Sequence, residues 1–246
     1  MGHVIPAGRR RRRSRRVAVL AVVAVILAVV ALLVLARARE IQTPAAPRPS
    51  TAARPHDPGY DHARALLAQL PVKGWDRHTD YSRALFGEAW SDDVDVEFGR
   101  NGCNTRDDIL RRDLADLVVR PGTCFADRGL LHDPYTGTDI GFVRGPDTSG
   151  AVQIDHLVSL SDAWYKGARE WDPQRRKDFA NDPRNLVAVA AQPNFDKAFR
   201  DAASWLPPNP AFRCEFVARQ VAVKAAYRLW VSAKEKQAMT AVLAGC

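Results

Sequence analysis

None of the six histidines opens an H-E-x-x-H sequence, and none of the four cysteines stands in a C-x-x-C pair. The first absence removes the two-histidine zinc motif of a metallopeptidase, and the second removes a zinc knuckle. Acidic residues are missing altogether from positions 1–39, although nine of the chain's 36 Lys and Arg lie there: Arg9, Arg10, Arg11, Arg12, Arg13, Arg15, Arg16, Arg37 and Arg39. Over positions 40–246 the remaining 27 basic residues face 28 acidic ones. The net charge of +8 and the pI near 9.6 therefore describe the N-terminus and not a basic nucleic-acid-binding face. No internal repeat is found, which excludes a solenoid.

Residues 17–36 form an uninterrupted apolar run of 20 residues. At about 1.5 Å per residue a helix of that length crosses a hydrocarbon core of about 30 Å. The arginines of residues 1–16 mark a cytoplasmic tail, because positive charge beside a first span is retained inside. The chain after residue 40 is then expected outside the cytoplasm, held in the membrane through residues 17–36. Ala36-Arg37-Ala38 has the small-x-small form of a signal-peptidase site, so secretion after cleavage near Ala38 is the competing expectation. Residues 37–59 are rich in Pro and Ala and read as an extended linker.

An exported domain at 60–246 can keep disulfides. Cys103, Cys124, Cys214 and Cys246 allow three pairings; Cys103–Cys124 with Cys214–Cys246 is favoured because each bridge stays within one half of the domain. Apolar spacing predicts helices over 63–70, 106–117, 162–169, 173–179, 194–203 and 212–243, the last interrupted near Ser232. Strands are predicted over 139–143, 152–158 and 186–189, where β-branched residues gather between turn-formers. The fold class is α+β, with helices outnumbering strands.

Asp155 and His156 close an apolar strand, and two neighbours on a strand serve one site only where the strand ends or bulges. Asn185 precedes the next strand, nine residues before Asn194, which opens a helix that carries Lys197. In order and spacing these residues resemble the HNH endonucleases, whose ββα-metal motif carries Asp-His on a strand, Asn before a second strand and Asn-x-x-Lys on a helix. Gly102 to Arg106, Asp133 to Gly137 and Trp205 to Pro208 extend the likeness to an exported actinobacterial type of that family, over roughly residues 75–246.

The resemblance implies a ββα-metal core and metal-dependent hydrolysis of DNA, and of RNA as a second substrate, with little sequence preference. Asp155 and Asn194 are then ligands of one divalent ion, Mg²⁺ or Mn²⁺, since both offer hard oxygen donors. His156 is the general base, Asn185 holds the loop behind it and sets its tautomer, and Lys197 reaches a phosphate. Arg106, Tyr135 and Arg176 are further candidates for contacting substrate, although a solvated helix-start arginine, a residue of a tight turn and a wet helix face explain the three equally simply. Where relatives carry Gly after the helix Lys this chain has Ala198, and Phe199 replaces a polar residue. The alternative is an inactive surface-anchored binding module on the same fold. No protein partner is implied.

Overall fold

The sequence's alternation between period-2 and helical patterning resolves, in the computed structural model, into seven α-helices and five strands among the residues described, 58–76 and 80–246. The expected basic tail, membrane span at 17–36 and most of the linker lie outside those residues. Among the described residues no helix is long and apolar enough to cross a membrane.

Helix α1 (Asp61–Gln69) precedes a long irregular stretch that leads to α2 (Thr105–Asp113). Strands β1 (Leu114–Val119), β2 (Ala126–His132) and β3 (Asp139–Val143) follow as an antiparallel three-stranded sheet in that order. A separate antiparallel pair joins β4 (Val152–His156) to β5 (Leu186–Ala190), with Asp155 opposite Val187 and His156 opposite Leu186. Between the two strands run α3 (Leu160–Tyr165) and α4 (Pro173–Asn181); after them come α5 (Ala191–Lys197), α6 (Arg213–Tyr227) and α7 (Ala233–Ala244).

Strand β5 reads Leu-Val-Ala-Val-Ala because both its faces are covered. Val187 and Val189 pack with α1, α6 and α7, whereas Leu186 and Ala188 pack with Ile109 and Leu110 of α2 and with Phe142 of β3. A third cluster of Phe86, Trp164, Phe179 and Tyr227 lies beneath α3 and α4.

The expected helix over 106–117 stops at Asp113, and its last four positions belong to β1. Leu114 and Ala115 pair there with Leu131 and Leu130, a long-range ladder that local spacing does not reveal. Strand β2 was not expected, and its run A-D-R-G-L-L-H holds a glycine. A Cβ on Gly129 would stand 3.0 Å from Ala115 O and from Leu114 Cβ, so a side chain there would press the two strands apart by a few tenths of an ångström. The helix placed at 194–203 instead spans Ala191–Lys197 and ends where Ala198 takes φ +49°. The 212–243 helix divides between Tyr227 and Ala233; Arg228 is left-handed, and Ser232 with Glu235 forms a capping box on α7.

Both favoured disulfides are formed. Cys103–Cys124 ties the approach to α2 to the β1–β2 loop, and Cys214–Cys246 ties the first turn of α6 to residue 246.

Five charged side chains are buried together where α3, α6 and α7 meet. Lys166 Nζ lies 2.5 Å from Asp162, 2.6 Å from Glu235 and 2.9 Å from Asp201, and Lys224 Nζ lies 2.8 Å from Asp162 and 2.9 Å from Glu235. Burial pulls the Lys166 pKa down, but Asp162, Glu235 and Asp201 outweigh it and leave it raised. Three carboxylates depend on two ammonium groups, so removal of either cation strands buried negative charge. Lys166→Met is therefore expected to lower the unfolding free energy by about 3–5 kcal/mol, measured as a fall in the urea midpoint at unchanged slope; an unaltered midpoint would show the cluster to be neutral in stability.

Candidate active site

A cavity of about 370 Å³ opens where β4 ends and α5 packs across the β4–β5 pair, and Gln153, Asp155, His156, Asn194, Phe195 and Phe199 line it with Tyr81 and Arg83. Asp155 and His156 share it because β4 stops at His156 and the chain turns at once. Leu157 N donates to Asn185 O, Val158 N donates to Asn185 Oδ1, and Asn185 Nδ2 donates back to Val158 O. Ser159 then caps α3 by accepting from Asp162 N.

His156 is buried against the Trp90 ring, stacked at 6.0 Å between centroids. Its Nε2 lies 2.8 Å from Ala180 O. A carbonyl only accepts, so Nε2 carries the proton and the lone pair of the neutral ring sits on Nδ1. Burial lowers the His156 pKa to about 3, assisted by Arg83 and Lys197 and opposed by the bond to Ala180, so the ring is uncharged at neutral pH.

The Asp155 carboxylate is fixed from behind. Its Oδ2 accepts from Tyr135 Oη at 2.5 Å, while Lys197 Nζ lies 3.0 Å from Oδ1 and 2.9 Å from Oδ2. The same ammonium donates to His156 O at 2.7 Å. Tyr135 has no exposed surface; burial and then the neighbouring Asp155 hold its phenol well above its usual pKa, so it remains a donor. Asp133 holds the turn that carries Tyr135, accepting from Thr136 N and, across to the end of β5, from Ala190 N.

Asn194 lies inside α5 rather than at its N-cap, which is Ala190. Its Nδ2 donates to Gln153 Oε1 at 2.8 Å. No hydrogen bond among the described residues occupies its Oδ1. Two oxygen donors, the Asp155 carboxylate and the Asn194 amide, thus border one cavity. A carboxylate has about four lone-pair positions; Tyr135 and Lys197 between them leave capacity on Asp155 Oδ1. This donor set fits a hard divalent cation and would not favour a soft one.

Several expected roles are corrected by these positions. Lys197 cannot extend to a phosphate, because its side chain has no exposed surface and its ammonium is committed to Asp155 and His156 O. Asn185 holds the turn behind His156, but Ala180 O, and not Asn185, sets the tautomer. Tyr135 stands behind Asp155 and contacts no solvent. Arg106 donates to Ser149 O and Val152 O, which anchors the start of β4. Arg176 donates to the carbonyls of Leu85 and Trp171 and lies over the Trp164 ring, so it faces the protein. Its neighbours Arg175 and Lys177 are engaged by Tyr227 O and Asp93.

Other site residues escaped the sequence. Gln153 could have been found, since it lies two positions before Asp155 on the same strand face. Arg83 and Trp90 could not, because nothing in the chain marks their approach to His156 from some 70 positions away. Arg83 is exposed on the cavity wall and makes no ion pair among the described residues. A larger groove of about 500 Å³ along Val72, Ala233 and Thr240 holds a single charged side chain, Lys236, and no acid or base to pair with it.

Residues 104–242 match the family described as GmrSD restriction endonucleases, C-terminal domain, a span that contains Tyr135, Asp155, His156, Asn185, Asn194 and Lys197. The chain is also 35% identical over 215 residues to a protein of Arthroderma benhamiae described as an uncharacterized secreted protein, covering 87% of this chain and 97% of that relative. No solved structure matches the chain.

Ala198, which follows the pinned Lys197, has φ +49° and ψ −120°, a conformation that suits glycine and strains an L-residue. The nucleases that this chain resembles commonly have glycine there, which that geometry explains. Ala198→Gly is expected to raise the unfolding free energy by about 1 kcal/mol, the relief of strain exceeding the added chain entropy. Thermal or urea denaturation checks this, and a destabilised variant would mean that the methyl contacts outweigh the strain.

Proposed function

Because the chain belongs to the family of GmrSD restriction endonuclease C-terminal domains, we propose that it is a metal-dependent HNH-type endonuclease that hydrolyses phosphodiester bonds of DNA, and of RNA as a second substrate, outside the cytoplasm. The observation that carries the proposal is the state of His156: its Nε2 proton is spent on Ala180 O, its ring is neutral, and it borders the same cavity as Asp155 and Asn194. The β4–β5 pair followed by α5 supports this reading, because strand, strand and helix come in the order that a ββα core requires. The secreted description of the Arthroderma benhamiae relative supports the location.

Asp155 and Asn194 would hold one divalent cation, Mg²⁺ or Mn²⁺. When bound, it supplies positive charge that neutralises the scissile phosphate and the departing oxygen. His156 takes a proton from the attacking water on Nδ1, and the Ala180 carbonyl then steadies the Nε2–H of the imidazolium that results. A ring whose resting pKa is about 3 is a weak base, and the incoming phosphate is the negative charge that raises it when substrate is present. Lys197 holds Asp155 aligned, and Tyr135 locks the carboxylate from the far side.

The purified full-length chain should nick plasmid DNA with Mg²⁺ or Mn²⁺ and stop when a chelator is added. His156→Ala should slow cleavage by roughly 10²- to 10⁴-fold with its circular dichroism unchanged; cleavage at the wild-type rate would reject His156 as the base. Asp155→Ala should weaken Mn²⁺ binding in calorimetry, and a titration curve identical to that of the wild type would remove Asp155 from the ligand set.

A further inference from the structure

Phe195 and Phe199 are 64% and 62% exposed, and both line the cavity that holds Asp155, His156 and Asn194. Two aromatic rings left in water beside a reactive centre offer a binding face, since nothing among the described residues covers them and apolar side chains of that size are ordinarily packed. Both are firmly based. Phe195 stands next to Asn194 on α5, which Lys197 pins to Asp155. Phe199 follows the bend at Ala198, and its carbonyl accepts from Ser159 Oγ at 3.3 Å, across from the loop that follows His156.

The charge around the rings identifies what they take. A nuclease that grips duplex DNA presents a row of cations to two phosphate backbones. Here Arg106, Arg175 and Arg176 donate to backbone carbonyls, Lys177 is paired with Asp93 and Lys197 with Asp155, as described above. Arg83 is the cation on the cavity wall, and Arg200, exposed beside Phe199, is bonded to Asp196 O. One wall arginine with two exposed rings suits a phosphate flanked by unstacked bases, because every base has a π-face and a paired base has already spent its faces on its neighbours.

Resting on the nuclease reading above, we propose that Phe195 and Phe199 are a base-stacking platform that makes single-stranded nucleic acid, DNA or RNA, the preferred substrate over duplex. Stacking sets the strand so that the phosphate beside a captured base enters between His156 and Asn194, and Arg83 meets the backbone. Stacking is indifferent to base identity, which accounts for low sequence preference without contacts to base edges.

The test uses the full-length chain in the His156→Ala background, so that binding is read without cleavage, with a short fluorescein-labelled oligonucleotide as single-stranded DNA, single-stranded RNA and duplex DNA. Fluorescence anisotropy should show either single strand bound more tightly than duplex. Phe195→Ala combined with Phe199→Ala should weaken single-strand binding on the order of ten- to a hundredfold and leave duplex binding nearly unchanged. Trp at both positions should restore it, whereas Leu, apolar but not aromatic, should not. Equal binding of single strand and duplex, an Ala pair that binds as before, or full rescue by Leu overturns the proposal. Cleavage is measured in parallel with His156 intact. An active enzyme whose strand preference ignores both phenylalanines refutes the platform and keeps the nuclease, while aromatic-dependent binding without cleavage of any strand keeps the platform and refutes the nuclease.

Discussion

The ammonium of Lys197 lies where strand β4 meets helix α5, bonded to both oxygens of Asp155 and to the backbone carbonyl of His156. That single buried group fixes the helix carrying Asn194 against the strand carrying the acid and the imidazole. It also accounts for the burial of Tyr135 and the ordering of the Asp133 turn behind it, because a carboxylate drawn this far from water needs donors on every side. The cavity is thus the open face of an otherwise closed hydrogen-bond network, and the chemistry available there is what that network leaves unspent: one lone pair on His156 Nδ1, one oxygen of Asn194 and part of Asp155.

A second pattern concerns the cations. Arg106, Arg112, Arg175, Arg176 and Arg219 each donate to backbone carbonyls at strand starts and helix ends. In a domain with short strands and many irregular connections, guanidinium groups satisfy carbonyls that regular structure does not reach. Their use as internal braces commits these guanidinium groups to the fold, and over 40–246 basic and acidic residues are nearly balanced besides. The proposed recognition of an anionic polymer draws instead on the reactive centre itself and on the exposed rings of Phe195 and Phe199 beside it.

The scaffold around the site is held by means that suit export. Two disulfides close the α2 approach and residue 246, and the Lys166–Lys224 cluster joins α3, α6 and α7 beneath the turn that follows His156. Gln220 of α6 donates to Leu157 O in that turn, so the helices hold the loop on which the position of His156 depends.

The sequence carries local signals sufficient for β3, β4 and β5 almost to the residue, the break near Ser232, the α+β class and the order in which Asp155, His156, Asn185, Asn194 and Lys197 occur, and it favoured one of three cysteine pairings that the fold then decided. It did not determine β1 or β2, whose pairing is a long-range ladder, nor the direction in which any long cationic side chain points. Lys197, Arg106 and Arg176 could each reach a phosphate or the protein interior from the same backbone position, and only the surrounding carbonyls and carboxylates decided for the interior. The tertiary structure alone brought Arg83, Trp90 and the Ala180 carbonyl to His156 and so chose its tautomer and its charge. Spacing along a chain constrains which residues share a strand or a helix face, whereas burial and hydrogen-bond satisfaction depend on every segment that folds against them.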